Sequence, residues 1–206
     1  SSQFVTGLTY AKDLIRGGAE VTITGRIESE SYLTMTLQAQ RLFGAPRYHS
    51  PGTVKVEGDW SGGAFWLAAN AIGSALDIQD LDPDSIQGDR AAGKLLRELR
   101  ENVEIDTKNI PDLVPVLAIV AAVNEGAVFR NIHRLRLKES DRVESVIRMI
   151  TALGGTAKAE DHRLIVSPGT YSGGTVDAQN DHRIAMAAAI AATVCTCPVT
   201  ILGAEC

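Results

Sequence analysis

The sequence predicts an α/β chain of the α+β kind, assembled from repeated β-α-β-α-β-β units, and three observations predict it. Helix-period and strand-like patterns alternate along the 206 residues. The parts recur in one order: a helix, a strand, a short polar segment, a second helix ending in small residues, then one or two strands. Three stretches, ESESYLTMTLQAQRLFGA (28–45), DSIQGDRAAGKLLREL (84–99) and LKESDRVESVIRMITALGG (137–155), occupy the same place in that cycle. Their offset of roughly 50–55 residues marks repeated supersecondary units. Composition agrees, since 45% hydrophobic and 22% charged residues suffice for one large or two small cores. The turn-rich SPGTVKVEGDWSGG (50–63) is the clearest boundary candidate.

Seven segments read as helices. Phe4 to Ile15 has SSQ at its mouth, and Tyr32 to Phe43 ends at Gly44. Ala64 to Ile72 follows Ser61-Gly62-Gly63, with Trp60 and Trp66 flanking its start and expected to pack there. Asp89 to Leu99 carries Arg and Lys on its open face. Pro111 to Val123 opens on proline, whose missing N–H does no harm at the first helical position. Asp141 to Leu153 has Val143, Val146, Ile147, Ile150 and Leu153 on one face and stops at Gly154-Gly155. His182 to Val194 is apolar nearly all round, which predicts burial between other elements. Strands are expected over 20–25, 74–79, 103–105, 127–132, 155–159, 163–166 and 198–202. HRLRLK (133–138) also alternates like a strand, with Leu135 and Leu137 on one face.

Charge and cysteine usage exclude several functions. A net charge of −5 does not favour nucleic acid or an anionic membrane surface, so a local basic cluster points to a small anionic ligand. No apolar run reaches the roughly 18–20 residues that span a bilayer, and no signal peptide is visible. Cys195, Cys197 and Cys206 crowd one end, which suits neither a disulfide framework nor a four-ligand zinc site. They read as reduced thiols of a cytoplasmic protein. The start at SSQF and the stop at ILGAEC read as the ends of an excerpt.

Candidate chemistry sits at helix mouths. At KESDR (138–142), Ser140 as cap, the outward N–H groups, Lys138 and Arg142 would make an anion site. Arg142 in a first helical turn opposes the macrodipole unless something anionic compensates. Glu139 and Asp141 could do so, which would make the cluster a solvated ion-pair network instead. At NDHRIAM (180–186), Asp181 is either a plain cap or, with His182 and Arg183, the rim of a cleft. Asp112, just after Pro111, suits a helix start structurally and could also serve as a base. SSQF and SESY (29–32) read as caps or as ligand contacts. No G-x-x-x-x-G-K-[ST] loop, G-x-G-x-x-G or Ser-His-Asp arrangement supports a nucleotide site or a nucleophilic triad.

Taken together, RLKESDR (136–142) and NDHRIAMA (180–187) resemble the 5-enolpyruvylshikimate-3-phosphate (EPSP) synthase family. SSQF (1–4), SESY (29–32), VEGDWS (56–61), SIQGD (85–89) and IPD (110–112) follow in that family's order. The resemblance runs from end to end and implies an enolpyruvyl transferase-like, two-domain inside-out α/β barrel, here incomplete. Residues 1–57 would end the first domain and 58–206 form most of the second, without its terminal segment. The implied activity transfers the carboxyvinyl group of phosphoenolpyruvate to the 5-hydroxyl of shikimate 3-phosphate, releasing phosphate, with no metal or organic cofactor.

Carried over by matching motif, Ser1, Ser2, Ser29 and Lys138 would bind shikimate 3-phosphate, and Gln3 would touch both substrates. Arg142 and Arg183 would grip phosphoenolpyruvate, with His182 nearby. Asp112 would also contact shikimate 3-phosphate and accept the proton of the 5-hydroxyl, and Glu139 would exchange a proton with the methylene carbon. Arg134 stands where some family members carry asparagine. Further phosphoenolpyruvate-binding segments of the family lie outside this sequence, so the resemblance implies about half an enzyme, inactive or nearly so alone. The implied partners are the two small-molecule substrates, without nucleic acid or membrane, and the whole enzyme would be a cytoplasmic monomer. Two rivals remain: a UDP-N-acetylglucosamine enolpyruvyl transferase-like enzyme, and a non-catalytic anion-binding module built from the same repeats.

Overall fold

The computed structural model describes residues 2–16, 18–25 and 30–206, with only the backbone of Ser2. Among these residues lie seven α-helices and six strands. The helices are α1 (Ser2–Lys12), α2 (Glu30–Leu42), α3 (Trp60–Ala71), α4 (Ala92–Glu98), α5 (Val114–Val123), α6 (Arg142–Ala152) and α7 (His182–Ala192). The strands are β1 (Val103–Asp106), β2 (Ala127–Arg130), β3 (Ala157–Glu160), β4 (Arg163–Val166), β5 (Gly174–Asp177) and β6 (Val199–Leu202).

The run β1-α5-β2-α6-β3-β4 is one complete β-α-β-α-β-β unit. Its sheet has the order β1-β2-β4-β3. β1 runs parallel to β2, with Val103 opposite Ala127, while β4 is antiparallel to both β2 and β3. The β3–β4 hairpin turns through Asp161 and His162, both at positive φ, as a tight two-residue hairpin requires. β5, α7 and β6 begin the next cycle as a parallel pair with a helical crossover. β5 escaped the sequence reading because its four residues follow Gly173 without any apolar run.

At the centre lies α5, nine of whose residues, Val114 to Ala122, are buried. It packs against α7, α3 and α6 and over β2 and β4. Burial between other elements was expected of α7, which packs on α5, α3 and α6 but leaves Met186 and Ala189 exposed. The difference follows from neighbours: α5 is covered on all sides, whereas α7 keeps one outer face. α6 buries Val143, Val146, Met149 and Ile150 on one stripe and ends in a Schellman motif. There Gly155 N–H meets the Ile150 carbonyl and Gly154 N–H that of Thr151, with Gly154 at φ +90°.

Several local expectations are corrected. The segment 132–138 is not a strand; a 3₁₀ helix spans Ile132–Leu137, begun by Asn131 in the left-handed region. Ile132 and Leu135, three residues apart, bury together on it, and Leu137 is exposed. The period-two reading took Leu135 and Leu137 for one face. Stretches 20–25 and 74–79 form no strand either, having no partner strand among the described residues. Leu76 pairs its N–H and carbonyl with the side-chain amide of Asn70, at 2.7 and 2.8 Å. Residues Gly88–Ala91 form a 3₁₀ turn before the short α4. α5 begins at Val114, after a turn holding Pro111 and Asp112, so that Pro115 rather than Pro111 takes the early helical position. Trp60 is buried and donates to the Asp82 carbonyl at 2.8 Å, while Trp66 is exposed.

Candidate active site

Three helix beginnings and one preceding turn meet at the charged residues. Asp59 caps α3 by accepting from Ser61 and Gly62 N–H, at 3.0 and 2.9 Å. Asp141, not Ser140, caps α6 through Glu144 N–H. Asp181 caps α7 through Arg183 N–H at 3.0 Å. Capping fixes these carboxylates to the backbone, and the side chains next to them inherit that rigidity. Asp112 reaches the same place from the turn before α5.

Arg142 organises the cluster. It is fully buried, the largest such side chain among the described residues. Its Nε donates to Asp181 Oδ2 at 3.0 Å, and Nη1 to Asp112 Oδ1 at 2.7 Å. Nη2 donates to Glu139 Oε2 at 2.5 Å and to Asp181 Oδ1 at 3.3 Å. The compensation for a cation in a first helical turn therefore comes mainly from other elements. Asp141, expected to help, instead pairs with Arg136 at 2.7 Å. Burial alone would depress the Arg142 pKa, but the Asp181 and Asp112 carboxylates hold it above its ordinary value.

Asp112 collects three cations on one oxygen: Arg142 at 2.7 Å, Lys138 at 3.0 Å and Arg183 at 3.6 Å. Burial pushes its carboxyl up, yet Arg183, Lys138 and Arg142 outweigh it and hold the pKa below the usual carboxylate value. Asp112 is thus ionised and able to accept a hydrogen bond or proton from a ligand hydroxyl. Arg183 is braced from α3, where its Nη1 donates to Ser61 Oγ at 2.7 Å. Asp181 receives Ser140 as well, at 3.0 Å.

A cleft of about 760 Å³ opens over these groups. Asp112, Lys138, Glu139 and Arg183 line it, together with Gln3 of α1 and Tyr32 of α2. Of the residues expected from the sequence, those five besides Tyr32 come together at the cleft. Arg142 lies directly behind Asp112 and Glu139, and His182 does not line the cleft. Ser1, Ser29 and the side chain of Ser2 fall outside the described residues. Arg134 also lines the cleft and donates to the Lys108 carbonyl at 3.2 Å. No group of His, Cys, Asp and Glu suited to a metal ion occurs among the described residues.

Three contributors do more here than the sequence reading assigned to them. Asp181 was seen as a cap but not as the partner of Arg142. Tyr32 has its pKa raised to about 12, by burial first and then by the Asp89 and Asp112 charges. Asp89 is 3% exposed, and its Oδ2 has no hydrogen-bond partner among the described residues. Burial raises the Asp89 pKa from 3.8 to about 6, against the opposing influence of the Ser61 hydroxyl. The available signal was SIQGD, an acid in an otherwise plain turn.

One complete β-α-β-α-β-β unit and the start of a second, with helix beginnings around a cation-rich cleft, make up an architecture that solved structures share. EPSP synthase from Acinetobacter baumannii matches with a TM-score of 0.68 at 22% identity, over 91% of this chain and 52% of that one. The enolpyruvyl transferase NikO from Streptomyces tendae matches with a TM-score of 0.56 at 16% identity, over 87% and 50%. The fold is therefore that of the enolpyruvyl transferases.

A family model, EPSP synthase (3-phosphoshikimate 1-carboxyvinyltransferase), matches residues 99–206. The 3-phosphoshikimate 1-carboxyvinyltransferase of Clostridium kluyveri is 36% identical, covering 100% of this chain and 56% of the relative. That of Clostridium acetobutylicum is 37% identical, covering 100% and 55%. The chain belongs to the EPSP synthase family. It spans about half the length of the curated relatives it matches.

Proposed function

We propose that this chain supplies part of the active cleft of a 3-phosphoshikimate 1-carboxyvinyltransferase, joining phosphoenolpyruvate to shikimate 3-phosphate and releasing phosphate. The observation that carries this reading is Asp112 at the cleft wall, ionised and fixed by Lys138, Arg142 and Arg183. A carboxylate so held can take the proton of the 5-hydroxyl as its oxygen attacks C2 of phosphoenolpyruvate. Glu139, once its carboxylate has taken up a proton from solvent in the cleft, gives that proton to the methylene carbon, which becomes the methyl of a tetrahedral intermediate. Glu139 then takes a proton back from the methyl as the carbon–oxygen bond to phosphate breaks, the leaving phosphate takes up the proton held by Asp112, and the new vinyl ether forms. Lys138, Gln3, Ser1, Ser2 and Ser29 bind shikimate 3-phosphate. Gln3, Arg142 and Arg183, with His182 beside them, bind phosphoenolpyruvate. The relatives' names favour this reading over a UDP-sugar transferase, and the ionised Asp112 favours it over a non-catalytic module.

In this reading residues 1–57 close one domain and 58–206 form most of a second, the whole enzyme being a cytoplasmic monomer. The isolated chain turns over slowly or not at all, because its relatives are about twice as long. No helix among the described residues is long and apolar enough to cross a membrane. The test is Asp112→Ala in the full-length protein. General-base removal is expected to lower kcat by about 10²–10⁴ while phosphoenolpyruvate still binds. Unchanged phosphate release would sink the assignment.

A further inference from the structure

A guanidinium carries five N–H bonds, and in Arg142 each meets a protein acceptor. Four go to the carboxylates of Asp181, Asp112 and Glu139, and the fifth to the Pro111 carbonyl at 3.4 Å. An incoming anion can engage Arg142 only by displacing one of these groups. They are not equally replaceable. Pro111 offers main chain. Asp181 is fully buried and also receives Arg183 N–H and the Ser140 hydroxyl. Asp112 has a side chain 14% exposed and is tied to Lys138 and Arg183 as well. The Glu139 side chain is 45% exposed, and Arg142 is its one ion-pair partner among the described residues.

We propose that Glu139 is a displaceable place-holder on Arg142. An anionic ligand carrying a carboxylate or phosphate takes Nη2, and the released Glu139 carboxylate turns into the cleft. The exchange keeps Arg142 paired throughout, which matters because stripping a buried cation of its partner is strongly unfavourable. Asp181 and Asp112 hold the guanidinium plane while the fourth position changes hands. This inference rests on the cleft being an enolpyruvyl-transfer site and adds an order of events. Glu139, the residue proposed to carry the proton, leaves its cation only when the substrate anion arrives.

A place-holder competes with the ligand, so removing its charge strengthens binding. Phosphoenolpyruvate is titrated calorimetrically into the full-length protein, into Glu139→Gln and into Glu144→Gln, at one ionic strength. Glu144 is the control for the general effect of losing a negative charge, because it meets Arg136 at 3.5 Å and not Arg142. Replacing a charge-assisted bond by a neutral one should tighten binding roughly five- to tenfold in Glu139→Gln. Glu144→Gln should change it less than about twofold. Equal or weaker binding by Glu139→Gln, or an equal gain in both variants, overturns the proposal while leaving the site reading intact. Absence of binding by all three proteins overturns the site reading, and the proposal with it.

Discussion

Arg142 and Asp181 face each other across the starts of α6 and α7, both fully buried, with Nε–Oδ2 at 3.0 Å and Nη2–Oδ1 at 3.3 Å. This two-point contact fixes the rotation of one helix mouth against the other. A lysine could supply the charge but not the flat fork.

Breaking that pair from one side should be severe. Arg142→Met leaves Asp181 as a buried carboxylate without its cation, and such one-sided removal costs about 3–5 kcal/mol. Urea unfolding of the variant beside the parent protein measures this. A loss below about 1 kcal/mol would mean that water reaches the cluster and that its burial is not what holds it.

Asp89 should make stability depend on pH in the direction opposite to a paired carboxylate. Its folded pKa of about 6 lies above the ordinary 3.8, so the folded state binds this proton more tightly than the unfolded chain. Its contribution is full below the unfolded value and disappears as pH rises through about 6. At neutral pH the loss is on the order of 3 kcal/mol. Asp89→Asn should flatten the stability curve between pH 4 and 7 and raise the unfolding midpoint at pH 7. Superimposable pH curves for the two proteins would show that Asp89 is solvated.

Gly154→Ala should destabilise by more than about 1 kcal/mol. A Cβ at this φ of +90° would also lie 2.6 Å from Ser172 Oγ, so that hydroxyl must turn aside. Thermal unfolding reads the effect, and a midpoint equal to the parent's would contradict the Schellman assignment.

Leu117→Ala truncates a fully buried side chain of α5. Large-to-small changes in such surroundings cost about 2–5 kcal/mol. Trp66→Ala, at a 56% exposed position, serves as the contrasting surface change and should stay within about 0.5 kcal/mol.

The sequence made the helices with a strong apolar stripe legible: α6 through its valines and isoleucines, α5 through its apolar run. It was weakest where a pattern needed a partner to become structure. Residues 20–25 and 74–79 have strand composition, but composition does not supply the neighbouring hydrogen-bond donors and acceptors. Leu135 was readable as apolar, but only Asn131's left-handed turn decides that it pairs with Ile132 and not with Leu137. At the cleft, each charged helix mouth was visible as a local anomaly. Local spacing could not show that Arg142 would meet Asp181, 39 residues away, or that Asp112 would collect three cations. Those contacts arise because α5, α6 and α7 pack side by side, and packing is a property of the whole fold.

The enclosure of α5 also has a kinetic consequence. A helix sheathed on every side has no face from which to fray, so its central amides can meet solvent only when the surrounding layers come apart. In deuterium exchange, the protons of Leu117 to Ala121 should be the last to leave, at a rate set by opening of the whole unit. The same helix follows the turn that carries Asp112, so the proposed base rests against the slowest-opening segment of the chain.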